Sequence, residues 1–170
     1  MKRIFLFLII VSGSIFNASA QIVLSKGSGP GITIECPVTE EKIIEIFGQP
    51  QQTWTEEGGA IDGVMKTFVY KNLRIAVVDG YLFDFSFSNR ARNDDCVVVI
   101  NNEYRLKLGD NFSVFMASIP SSDVIARDYG ENVMQLFFKT DKGDAFSDSS
   151  LHVTLDNQGL VTLISWVSPV

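Results

Sequence analysis

Apolar and polar positions change period several times along this chain, and each change marks an element. Within Val38 to Pro50, Ile43, Ile44 and Phe47 line one helical face. Thr39 is placed to cap that helix, Glu40 and Glu41 suit the positive end of its dipole, and Gly48 and Pro50 stop it. Before it, Gly31 to Cys36 alternates as a short strand, and residues 21–30 read as a loose leader. After it, Met65–Tyr70, Leu73–Val78 and Tyr81–Ser88 are rich in β-formers, with Asp79-Gly80 as a tight turn between the last two. In the third of these, Tyr81, Phe83, Phe85 and Phe87 point one way and Leu82, Asp84, Ser86 and Ser88 the other.

The second half repeats the order. Cys96–Ile100 and Glu103–Leu108 form a hairpin about Asn101-Asn102, two residues that tolerate positive φ. A second helix runs from Gly109 to Ile119, capped by Asp110 or Asn111 and stopped by Pro120. Strands follow near Val124–Asp128, Asn132–Lys139, Leu151–Asp156 and Leu160–Val167. The helices align at an offset of about 72 and the closing hairpins at 79, with an insertion near Thr140–Ser150. Shared order with weak identity marks a diverged internal duplication. The expected fold is therefore α+β: two units, 31–92 and 93–170, each packing a short helix on one face of an antiparallel sheet.

The pattern Thr39-x-x-x-Ile43-x-x-x-Phe47-Gly48-x-Pro50 followed by three antiparallel strands resembles the repeat of the β-lactamase inhibitor protein. The same unit occurs singly in the small lipoprotein of the outer-membrane β-barrel assembly machine. The second half departs from the pattern, with Ser118-Ile119-Pro120 where the Gly-x-Pro stop belongs. The resemblance implies a saddle of two units that acts by binding other proteins. It transfers no functional residue.

The first 20 residues change the picture of where the chain goes. Lys2 and Arg3 precede an apolar run from Ile4 to Val11, and Ala18-Ser19-Ala20 is a small-x-small cleavage pattern, so residues 1–20 read as a cleaved signal peptide. The run is short for a membrane span, and Gln21 offers no lipid attachment point. Removing Lys2 and Arg3 from the 14 basic groups while keeping all 20 acidic ones takes the formal charge from −6 to −8. An exported protein, periplasmic or secreted, is expected, with neither nucleic-acid binding nor membrane insertion after cleavage. In that setting Cys36 and Cys96 most simply form one disulfide, worth ~4 kcal/mol by chain entropy for a loop of about 60 residues. Two buried thiols or a reactive thiol are the alternatives.

Little in the chain points to chemistry. His152 is the only histidine, which excludes multi-histidine metal sites and leaves any Ser–His–carboxylate triad dependent on it. Asp141, Asp144 and Asp148 do not follow the EF-hand spacing, Glu40-Glu41 belongs to a helix start, and Asp94-Asp95 to a turn. No cofactor and no metal is expected. The open sheet face is the better lead. It should carry Arg74, Ala76, Val78, Leu82, Asp84 and Ser86 in the first unit. In the second it should carry Gln135, Phe137, Lys139, His152, Thr154, Val161, Leu163 and Ser165. Phe137 and Leu163 beside polar neighbours make an interaction pattern, with His152 on the same face and Trp54, after the first helix, as a possible anchor. The reading is a non-catalytic binding protein of an unknown envelope or extracellular partner. The rivals are a small hydrolase built on His152 and a carrier of an apolar or peptide ligand between the units.

Overall fold

The computed structural model describes residues 21–57, 63–88, 95–139 and 146–168. The signal segment, Asp94, Asp141 and Asp144 lie outside these, as does the side chain of Asp148.

The first half runs β1 (Ile22–Lys26), β2 (Gly31–Thr33), α1 (Glu40–Phe47), β3 (Gln52–Glu57), β4 (Val64–Val69), β5 (Leu73–Val78) and β6 (Tyr81–Ser88). The second runs β7 (Cys96–Ile100), β8 (Tyr104–Lys107), α2 (Phe112–Ser118), β9 (Val124–Gly130), β10 (Val133–Lys139), β11 (Phe146–Leu155) and β12 (Val161–Val167). Each half is thus a hairpin, a helix and a four-stranded meander. The meanders join through β6 and β12 into one antiparallel sheet of order β3-β4-β5-β6-β12-β11-β10-β9. The hairpins join through β1 and β7 into a sheet of order β2-β1-β7-β8.

This overturns the α+β expectation. Among the described residues 57% lie in strands and 12% in two short helices, so the protein is mainly antiparallel β. The layer that covers the large sheet is the small sheet, with α1 beside β1 and α2 beside β8. The small sheet escapes sequence reading because β1 lies in the segment taken for a loose leader. Ile22, Leu24 and Ser25 are all buried there, so Ile-Val-Leu-Ser shows no alternation of apolar and polar residues. Side chains of both sheets and both helices form one core, including Leu24, Val98, Phe47, Phe85, Phe115 and Trp166.

The caps are where the sequence places them. Thr39 Oγ1 accepts the Lys42 N–H at 3.3 Å, and Asn111 Oδ1 accepts the Val114 N–H at 3.1 Å. Asn101 and Asn102 both take positive φ (55° and 58°), as a primed hairpin turn requires.

Two facing assignments need correction, for one reason. Val77 pairs with Leu82 but Ala76 with Asp84, so Phe83 is a bulge residue and the alternation slips. Leu82 therefore turns into the core and Tyr81 is exposed. In the second unit Leu155 pairs with Val161 but Thr154 with Leu163, so Thr162 is the extra residue and Val161 is buried. The bulge falls at the same place in both units.

The structure does not place Cys36 and Cys96 as the expected disulfide needs. The two sulfurs lie outside bonding distance, Cys36 exposed in the turn after β2 and Cys96 buried at the start of β7. Sequence count and compartment cannot report this, because the bond depends on Cα and Cβ geometry.

Candidate functional site

Register fixes what shares the outer face of the large sheet. One cross-strand row reads Trp54, Thr67, Ala76 and Asp84 on one side of the β12 backbone and Ser150, Phe137 and Ile125 on the other. The next reads Arg74, Ser86, Ser165, His152, Gln135 and Arg127. Phe137, His152 and Leu163 occupy three adjacent strands of this face on a diagonal, each offset from the next by two residues along the strands. Trp54 lies on edge strand β3, not in a loop, and is six strand spacings from Phe137, about 29 Å. It shares the face but not the cluster.

The cluster gains two residues that the sequence reading missed. The Arg127 guanidinium lies 4.9 Å from the centroid of the Phe137 ring, and the Tyr129 ring lies 5.5 Å from the imidazole of His152. Tyr129 reaches it because a register shift between Val133 and Met134 leaves it as the extra residue of β9. Alternation outward from buried Val124 would have found Arg127. The irregularity that places Tyr129 has no sequence signature. Tyr129 is 68% exposed, and Phe137, His152 and Leu163 are half-buried, while Leu136 and Phe138 point into the core.

Beneath the rings runs a short polar relay. Gln135 Nε2 donates to Ser150 Oγ at 2.9 Å, and Ser150 Oγ lies 3.1 Å from His152 Nε2. Ser150 Oγ donates to Nε2 when the imidazole proton is on Nδ1, and accepts from it when the proton is on Nε2. Burial lowers the His152 pKa from its ordinary value, favouring the neutral imidazole. Among the described residues this is the Ser–His contact that the hydrolase reading can use. Ser150 is 3% exposed, however, and a nucleophile must be reachable by its substrate.

In the first unit two of the equivalent positions are charged. Arg74 stands where the second unit has His152, and Asp84 where it has Leu163. Arg74 Nη1 is 3.3 Å from Asp84 Oδ2. Burial raises the Asp84 pKa and the Arg74 charge lowers it, the burial effect being the larger.

Among the described residues no group of three or more His, Cys, Asp or Glu is placed to hold a metal ion, and no helix is long and apolar enough to cross a membrane. Where the units meet, Leu24, Val98, Phe85 and Trp166 are buried. The fold and this face define a tandem two-sheet β protein with an aromatic and cationic cluster on the open sheet of one unit. Comparison with protein-family models, curated proteins and solved structures finds no match.

Proposed function

We propose that this chain is an exported, non-catalytic binding protein that engages another protein through the open face of β9–β12. The observation that supports this most is the placement of Arg127, Tyr129, Phe137, His152 and Leu163 on one sheet face, with Arg127 over Phe137 and Tyr129 against His152. Aromatic rings and arginine are the side chains that most often dominate protein interfaces. The other unit carries the Arg74–Asp84 ion pair at the positions of His152 and Leu163, so the fold does not impose the cluster. Export rests on the pattern of residues 1–20, and the acidic charge argues against nucleic-acid partners. The likeness of the first helix to the β-lactamase inhibitor protein repeat agrees with a role in protein binding.

The test is capture of envelope proteins by immobilised wild type and by a Tyr129→Ala, Phe137→Ala pair of matched melting temperature. The proposal expects a partner retained by the first and weakened by ~2 kcal/mol, about 30-fold, in the second. Identical capture refutes it. The Ser150–His152 contact gives the hydrolase reading its own outcome: ester turnover that Ser150→Ala abolishes.

A further inference from the structure

One of the core differences between the two units falls at the start of the helix. In the second, α2 opens with Phe112, which is buried with its ring 6.4 Å from that of Phe115. In the first, α1 opens with Glu40. Aligning the caps Thr39 and Asn111 puts Glu40 in the place of Phe112 and Ile43 in that of Phe115. Aligning on the hairpin tip, where Val38 N–H donates to Gly80 O and Phe112 N–H to Gly159 O, pairs Val38 with Phe112 instead. Either way the first unit has a carboxylate or a valine where the second buries a phenyl ring.

The missing bulk leaves a recess of about 240 Å³ at the start of α1, against β4 and β5. Val38, Ile43, Phe68 and Val77 wall it, and all four are otherwise buried. Its rim carries the carboxylates of Glu40 and Asp79 against one ammonium, Lys66, which is already paired with Glu40. Val64, also lining it, is 43% exposed, so the recess is reachable from solvent.

We infer that this recess binds an aromatic ring carried beside a positive charge, such as phenylalanine next to a basic residue in a partner segment. The ring takes the place that Phe112 holds in the other unit. An apolar cavity of ~150 Å³ is enough to take up benzene, and this one is larger. The excess of carboxylate on the rim selects a cation over an anion next to the ring. The site lies on the core side of the sheet and is independent of the outer-face cluster, so either assignment can fail alone.

The experiment is a methyl NMR titration of the full mature chain with phenethylamine and, separately, with 3-phenylpropanoate. Saturable shifts at Ile43, Val38 and Val77 with phenethylamine, and at least several-fold weaker binding of the carboxylate, are expected. Glu40→Phe should fill the recess, abolish those shifts and raise the melting temperature. Where that variant does not fold, Val38→Phe serves the same purpose. Phe112→Ala should open a matching recess and add a second set of shifts near Phe115 and Leu155. Absence of saturable shifts in the wild type overturns the site. Shifts that survive filling place the probe elsewhere and overturn it equally, and equal binding of the two probes overturns the charge preference.

Discussion

Ser86 of β6 and Ser165 of β12 stand directly opposite each other at the centre of the eight-stranded sheet, and each occupies the other's place in its own unit. Register radiates symmetrically from them: Phe85 faces Trp166 and Phe87 faces Ile164, pairs that exchange when the units are exchanged. The small sheet has the same property about Leu24 and Val98, with Ile22 facing Ile100 and Lys26 facing Cys96. The two units therefore join as the halves of a two-fold dimer do, through self-complementary strands. What breaks the symmetry is side-chain chemistry, and both functional assignments rest on such a break: His152 against Arg74 on the outer face, Phe112 against Glu40 in the core.

Phe85 is wholly buried and its ring stacks on that of Phe87, with centroids 6.2 Å apart. Phe85→Ala should cost roughly 3–5 kcal/mol by urea denaturation. Phe137→Ala, on the opposite face of the sheet, should cost about 1 kcal/mol or less. Equal losses would mean that the outer face is packed against something.

Two buried hydroxyls find no hydrogen-bond partner among the described residues, those of Thr67 and Tyr70. Thr67→Val keeps the shape and removes an unsatisfied group, so it should stabilise by about 1 kcal/mol. Burial pushes the Tyr70 phenol up to about 12, so folding favours its neutral form. That contribution is complete below pH 10 and is lost as pH rises from 10 towards 12. Tyr70→Phe should flatten that alkaline fall. A destabilised Thr67→Val would show that the hydroxyl has a partner.

His152 titrates with the opposite sign. Its folded pKa lies below 6.5, so the unfolded chain takes up the proton first as pH falls. The stability that its neutral form contributes is present above pH 6.5 and is lost as pH drops from there through the folded pKa. His152→Gln should remove that part of the acid limb, read as the difference in urea midpoint between pH 7.5 and 5.5. A wild-type difference equal to that of the variant would contradict the assignment.

The cysteines give a chemical readout. Under native, non-reducing conditions iodoacetamide should modify Cys36, while Cys96 should react only on unfolding, because its side chain is buried. Intact mass should show one adduct on the folded protein and two on the denatured one. No adduct until a reductant is added would restore the bridge.

How far the sequence reaches follows from which signals are local. Both caps, the Asp79-Gly80 and Asn101-Asn102 turns and the direction of Phe137 depend on a few neighbouring residues, and each is legible. The strand character of Ile22–Lys26 depends on pairing with Cys96–Ile100, some 70 residues away, and no local pattern carries it. Gln52–Glu57 is exposed at every position, so β3 has no buried face to produce an alternation. The bulges at Phe83 and Thr162 shift alternation by one and hide Leu82 and Val161 from a period-two reading. Of the site, Phe137, His152 and Leu163 come from alternation, while Tyr129 comes only from an irregularity in strand register.

The most direct test of the outer-face assignment is site-specific photocrosslinking in the envelope. A benzophenone side chain is placed at Tyr129, on the cluster, or at Val114, which is 70% exposed on α2 away from it. A discrete partner band is expected from position 129, lost when Phe137 and Leu163 are both alanine, and none from position 114. A partner band from position 114 with none from position 129 would contradict the assignment.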